Sequence, residues 1–366
     1  MNANSFYVAA TNQHVGKTTS TLGLVSALKQ RGINMGYCKP VGQRYLDLDN
    51  IRVDKDTLLF ADLLGFKIEP ALHSPVILGR GATTSYLDDP TKFDFRSEIM
   101  HAAQQLWQSH ECVIFEGTGH PGVGSVVDLS NADVAKMVKA PVIMIVEGGI
   151  GSTIDRLNVS LAMFREQNIP MVGVIVNKVR EDKLDKVRTY VGKKLAHMGL
   201  NLLGVLPYDE SLAFPIISTI SEAVSGSVVL NAHQIERKVE DIMPGSLIDS
   251  KRFIQAKNVL LVAGADRVGE ALAKADLLIK VNNIPKFPIA GIVATGEGDI
   301  GEESMEFLKE HQIPLIRTHL DTYGSVMKIS KIEVKINLNT PWKINRAIDL
   351  ITTHIDLDQI MDVSGK

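Results

Sequence analysis

The stretch Thr11-Asn12-Gln13-His14-Val15-Gly16-Lys17-Thr18-Thr19 constrains this chain more than any other. It follows the apolar run Phe6-Tyr7-Val8-Ala9-Ala10 and opens into a helical pattern of Leu22, Leu24, Val25 and Leu28. A strand, a tight loop ending Gly-Lys-Thr and a helix together make a phosphate-binding loop, in which backbone N–H groups and the helix N-terminus face the phosphates. Lys17 then meets the β/γ charge and the Thr18 hydroxyl reaches Mg²⁺, with Val15, Gly16 and Thr19 completing the cradle. The strict spacing is broken, because Thr11 stands where the first glycine belongs and the longer spacing of one branch places Ala10 there. The expectation is a nucleotide site at the end of the first strand.

The rest of the chain suits an α/β protein. Through residue 207, short apolar runs at Ser5–Ala10, Ile33–Lys39, Cys112–Glu116, Pro141–Val146, Met171–Val176 and Leu202–Val205 alternate with helix-period segments. Continuous rather than alternating hydrophobicity implies burial on both faces, hence a parallel sheet covered by helices on both sides. Residues 40–90 are irregular and charged, and are expected to form loops over the ligand face. A second series follows Pro207-Tyr208-Asp209, with strands expected at Val228–Leu230, Val239–Met243, Asn258–Ala263, Leu277–Ile279, Ile289–Thr295 and Pro314–Arg317. The expected domains are therefore 1–210, a smaller α/β domain over 216–330, and a C-terminal helix with a polar tail over 331–366. Since every nucleotide-site candidate precedes Pro207, a fragment ending there is expected to fold and bind nucleotide.

With 366 residues and a net charge of −3, the chain gives no electrostatic reason to expect nucleic acid or an anionic membrane as partner. No apolar run approaches the roughly 20 residues that span a bilayer. Only Cys38 and Cys112 occur, which suits a reducing cytoplasm better than a disulfide framework. The N-terminus enters a strand directly, without the charged and apolar regions of a signal peptide.

Three strand ends carry candidate chemistry. Lys39 closes Gly36-Tyr37-Cys38-Lys39-Pro40-Val41, at the edge where open α/β sheets bind ligands; an anion contact and a solvated strand-end lysine fit it equally. Glu116 ends Val113-Ile114-Phe115-Glu116-Gly117-Thr118-Gly119, the pattern of a carboxylate beside a phosphate-bound magnesium. Asn177 follows Val172–Val176 and offers both a donor and an acceptor, which suits an adenine edge. Asp54 and Asp56 open a helical pattern, where capping is the ordinary role of a carboxylate.

Together these segments resemble the dethiobiotin synthetase branch of P-loop proteins over about the first 210 residues. The resemblance implies ATP and Mg²⁺ as cofactors, with Lys17 and Thr18 on the phosphates and metal. It implies Lys39 on a carbamate-like substrate and the phosphate, Glu116 as a magnesium ligand and Asn177 reading adenine. A helix aspartate completes the metal site: Asp56, with Asp54 as the fallback. The chain is more similar still to proteins joining such a module to a DRTGG domain, as in the N-terminal region of long phosphate acetyltransferases. Gly264-Ala265-Asp266-Arg267, Thr295-Gly296 and His319-Leu320-Asp321-Thr322-Tyr323 support this, although Glu297 replaces a family glycine. No acetyltransferase domain follows before Lys366, so no acetyl transfer is expected. Asn12 and His14 replace two family acids, so the diaminopelargonate substrate does not carry over.

Two functions follow as expectations. One is ATP-dependent phosphoryl transfer to a carboxylate- or carbamate-like small-molecule acceptor, with Lys17, Lys39 and Glu116 as catalytic residues. The other is a nucleotide sensor whose DRTGG-like domain binds a regulatory ligand or partner enzyme. Relatives of the module commonly dimerise, so the resemblance also implies a homodimer.

Overall fold

The computed structural model describes residues 4–48, 51–285, 287–332, 334, 336–337 and 339–364. They form two compact units, residues 1–209 with 336–366, and residues 210–335.

In the first unit, β1 (Asn4–Ala10) leads through the phosphate loop into α1 (Lys17–Gln30) and returns as β2 (Met35–Cys38). Where loops are expected over residues 40–90, the chain is more ordered than its charge suggests. β3 (Val41–Gly42) pairs in parallel with β6 (Val76–Ile77), β4 (Tyr45–Leu48) and β5 (Ile51–Asp54) form an antiparallel ribbon, and α2 spans Lys55–Leu64. Asp54 caps α2 by accepting from the Asp56 N–H at 2.9 Å, a contact worth about 1 kcal/mol. The sheet is completed by β7 (Cys112–Glu116), β8 (Val142–Glu147), β9 (Met171–Val179) and β10 (Leu202–Pro207). All its strands are parallel, in the order β10-β9-β8-β1-β7-β2.

Alternate residues of β1 feed the two faces. Tyr7 and Ala9 pack into one core with Phe115, Leu161 and Val176; Phe6, Val8 and Ala10 pack into the other with Leu22, Leu24, Val25 and Leu28 of α1. Burial on both faces is why these strands read as unbroken apolar runs. Because β1 lies between β7 and β8, with β2 beyond β7, the ends of β1, β7 and β2 are neighbours at one edge.

The C-terminal segment corrects the expectation of a separate helix and polar tail. Helix Pro341–His354 buries Ala347 and Ile351 against α1, and helix Leu357–Ser364 buries Leu357 and Ile360 in the same core. Ile355 makes an isolated antiparallel bridge with Gly204 of β10, and the Asp356 N–H donates to the Leu203 carbonyl at 3.1 Å. Residues 210–335 are therefore inserted in sequence between the last strand of the first unit and the helix that covers α1.

The second unit carries β11 (Ser227–Leu230), β12 (Asp241–Pro244), β13 (Val259–Gly264), β14 (Ile289–Thr295) and β15 (Leu315–Thr318), ordered β11-β15-β14-β13-β12. Only β11 runs antiparallel. The strand expected at Leu277–Ile279 is instead the last part of a helix over Val268–Val281. Leu278 and Ile279 continue the stripe of Ala271, Leu272 and Ala275, while Leu277 is exposed, the one-sided burial of a helix rather than a strand. Among the described residues, no helix is long and apolar enough to cross a membrane.

Candidate nucleotide site

Gly16 turns the phosphate loop into α1 at φ 92°, a left-handed conformation that favours glycine. Its open side is also filled: a Cβ there would lie 2.1 Å from Asn177 Nδ2. Two consecutive residues of β9 brace the loop. Asn177 Nδ2 donates to the Val15 carbonyl at 2.8 Å, and Lys178 Nζ donates to the His14 carbonyl. One N–H of the Asn177 amide is thus engaged by the loop itself. Lys17 opens α1 and its ammonium reaches the Gly119 carbonyl at 3.5 Å, across from the end of β7. Thr18 and Thr19 follow in the first turn, both partly exposed.

Three strand or helix ends converge beside Thr18. The Thr18 hydroxyl lies 3.0 Å from Glu116 Oε1 and 3.5 Å from Asp56 Oδ2. Lys39 Nζ lies 2.8 Å from Asp56 Oδ2 and 3.0 Å from Glu116 Oε1. Of the two helix aspartates, Asp56 meets the cluster and Asp54 caps the helix behind it. The Lys39 side chain is only 4 % exposed and that of Glu116 is fully buried. Burial pulls the Lys39 pKa down, but Asp56, Glu116 and Asp54 more than offset it and hold the ammonium above the usual lysine range. Burial likewise raises Asp54, against the opposing pull of Lys39. Removing one member of such a buried ion cluster costs about 3–5 kcal/mol, because its partner is left uncompensated.

Several supporting residues carry no signal of their own in the sequence. The Tyr37 hydroxyl lies 3.5 Å from Glu116 Oε2; it is two residues before Lys39, so the period of a strand places both on one side. Asn131 clasps the loop after β7, donating to the carbonyls of Thr118 (2.9 Å) and His120 (2.6 Å) and accepting from the Thr118 N–H (3.0 Å). The Tyr7 hydroxyl donates to Asn131 Oδ1 at 2.7 Å and fixes the amide. Gly117 makes this clasp fit, since a Cβ there would come within 2.2 Å of Asn131 Oδ1. The Lys39 N–H donates to the His73 carbonyl at 2.9 Å, which ties the end of β2 to the excursion.

The arrangement can do two things chemically. A helix N-terminus, the loop N–H groups and Lys17 form an anion cradle. Beside it, one hydroxyl and two carboxylates gather hard oxygen donors in the small number that Mg²⁺ takes when substrate phosphate and water complete its shell. No group of three or more His, Cys, Asp or Glu side chains suited to a metal occurs among the described residues.

An AAA domain family model matches residues 4–216, and a DRTGG domain model matches residues 219–332. The phosphate acetyltransferase of Nitrosomonas europaea is 23% identical over 99% of this chain and 52% of its own length. The ATP-dependent dethiobiotin synthetase BioD of Bacillus subtilis subsp. natto is 25% identical over 62% of this chain and 97% of its own. Among solved structures, the MinC:MinD cell division protein complex of Aquifex aeolicus aligns at a TM-score of 0.39 and 13% identity, covering 58% of this chain and 84% of that one. The chain spans about half the length of the phosphate acetyltransferases it matches. It belongs to the AAA domain family matched over residues 4–216, as a dethiobiotin synthetase-like P-loop nucleotide-binding module fused to a DRTGG domain.

Proposed function

We propose that the first unit binds Mg·ATP and transfers a phosphoryl group to a carboxylate- or carbamate-like acceptor beside Lys39. The observation that carries this reading is the convergence of Thr18, Lys39, Asp56 and Glu116 next to the phosphate loop. A nucleotide sensor has no need of a second buried cation near the phosphates, whereas an acidic acceptor does. Thr18, Asp56 and Glu116 would hold the metal, which when bound neutralises phosphate charge. Lys17 and the loop N–H groups orient the phosphates, and Lys39 meets the acceptor anion, so catalysis is positioning and charge stabilisation. The similarity to an ATP-dependent dethiobiotin synthetase supports ATP as the nucleotide. Asn12 and His14, in place of that family's acids, speak for a different acceptor.

A second reading rests on the insertion of the DRTGG unit ahead of the helix that covers α1. In it, a ligand or partner of that unit biases the nucleotide site, and the protein acts as a regulator. An assay of ADP release across a panel of carboxylates and amines separates the two. Acceptor-dependent release supports the enzyme; slow release that no acceptor changes supports the sensor.

A further inference from the structure

The oxygens that would face a divalent cation are the ones Lys39 already holds. Its Nζ is 2.8 Å from Asp56 Oδ2 and 3.0 Å from Glu116 Oε1, and the Thr18 hydroxyl approaches the same two atoms. A divalent cation held by these same two oxygens would compete with Nζ for them. Two cations sharing the same oxygens repel strongly. The site is nearly closed, with the Lys39 side chain 4 % exposed, so little water is present to screen them. Two of the ammonium's three N–H bonds are committed to the acids, which leaves Lys39 poorly disposed to receive an acceptor anion in this state.

We propose that Lys39 is a built-in cation that occupies the Asp56–Glu116 pair until a divalent metal displaces it, and that this displacement is what frees Nζ to bind the acidic acceptor. The inference rests on the metal reading above and adds an order to it: metal and nucleotide first, acceptor second. An acidic acceptor arriving early finds the ammonium already neutralised. The lysine also keeps the Asp56 and Glu116 carboxylates from facing each other uncompensated before a metal binds.

The test uses the full chain without nucleotide, with Mn²⁺ as probe and free Mn²⁺ read by electron paramagnetic resonance. Lys39→Met removes the competing charge and is expected to bind Mn²⁺ about tenfold or more tighter than the wild type. Lys39→Gln is also neutral but retains a hydrogen-bond donor for the acids; it carries the same expectation if the methionine variant does not fold. Adding Glu116→Gln to either variant is expected to abolish the gain. In the wild type, saturation-transfer NMR with acetate as the carboxylate probe should show binding with Mg²⁺ and ADP together and none with ADP in EDTA. In the Lys39 variants it should show none in either condition. Equal Mn²⁺ affinity in the wild type and both Lys39 variants, with Glu116→Gln weakening all of them, would leave the metal reading standing and overturn the displacement. Acetate binding that is equal in EDTA would overturn it too. Mn²⁺ affinity indifferent to Glu116→Gln would overturn the metal reading and the displacement with it.

Discussion

Gly23 lies directly under Ile351: a Cβ on Gly23 would fall 2.3 Å from Ile351 Cγ1 and 2.6 Å from the Ala347 carbonyl oxygen. An exposed helical glycine replaced by alanine gains about 1 kcal/mol. Here the close approach of backbone reverses the sign, since overpacking costs about 1–3 kcal/mol. Gly23→Ala is expected to lower the urea midpoint of the first unit, and a raised midpoint would show that the two helices are not in contact.

The same contact bears on truncation. A chain ending near Pro207 keeps Lys17, Lys39, Asp56 and Glu116 but loses Ala347 and Ile351, which pack over Gly23 and complete the core that α1 shares. Contrary to the expectation from sequence, this fragment should be insoluble or should unfold without a cooperative transition. Circular dichroism during thermal unfolding of the fragment and the full chain decides it.

Lys17→Ala should lose ATP binding, because the anion cradle loses its lysine while the loop remains braced by Asn177 and Lys178. Isothermal calorimetry on the folded variant reads it; unchanged affinity would remove the nucleotide from this loop.

Glu116→Gln keeps the size of the side chain and removes its charge. Nucleotide affinity is expected to stay close to that of the wild type, while Mg²⁺-dependent turnover falls on the order of 10²-fold. Wild-type turnover would reduce Glu116 to a structural strand-end acid.

His73 supplies a pH dependence. Burial holds its pKa below the usual histidine value, only partly opposed by its backbone hydrogen bond to Glu69, whose N–H nitrogen and carbonyl oxygen both lie 3.1 Å from Nδ1. Its ring stacks on Phe66 at 4.0 Å, and its carbonyl receives the Lys39 N–H. The unfolded chain binds the proton first, below about pH 6.5, so this contribution is full above that pH. It is lost as pH falls toward the folded pKa, by at most about 1.4 kcal/mol per unit. His73→Phe should flatten the acid limb of stability below about pH 6.5. An unchanged limb, measured by urea midpoints across that range, would contradict the assignment.

The six strands of the central sheet and the phosphate loop were legible because both are local. Unbroken apolar runs such as Cys112–Phe115 require burial on two faces, and Gly16-Lys17-Thr18 between a strand and a helix suits little besides an anion cradle. Glu116 and Lys39 were legible as strand ends, yet their meeting depends on β7 lying between β1 and β2, an order no local pattern encodes. Local pattern alone made caps of both Asp54 and Asp56, and only the family resemblance ranked Asp56 first; the helix geometry makes Asp54 the cap and sends Asp56 into the cluster. Asn131 was invisible as a clasp, because a single amide well downstream of Glu116 carries no spacing signal. A C-terminal helix could be read within 331–366, but an amphipathic stripe names a buried face and not the α1 surface that buries it.

The inserted position of residues 210–335 has a consequence for synthesis. A nascent chain emerges from the amino end, and domains generally form as their residues appear. The first unit is an exception: the cover of α1 is encoded after the whole DRTGG unit, so its sheet and phosphate loop are made long before Ala347, Ile351 and Ile355 exist. Until then the side of α1 around Gly23 lacks its cover. On the ribosome the inserted unit can complete itself first, and the nucleotide-binding unit, though first in sequence, is the last to close.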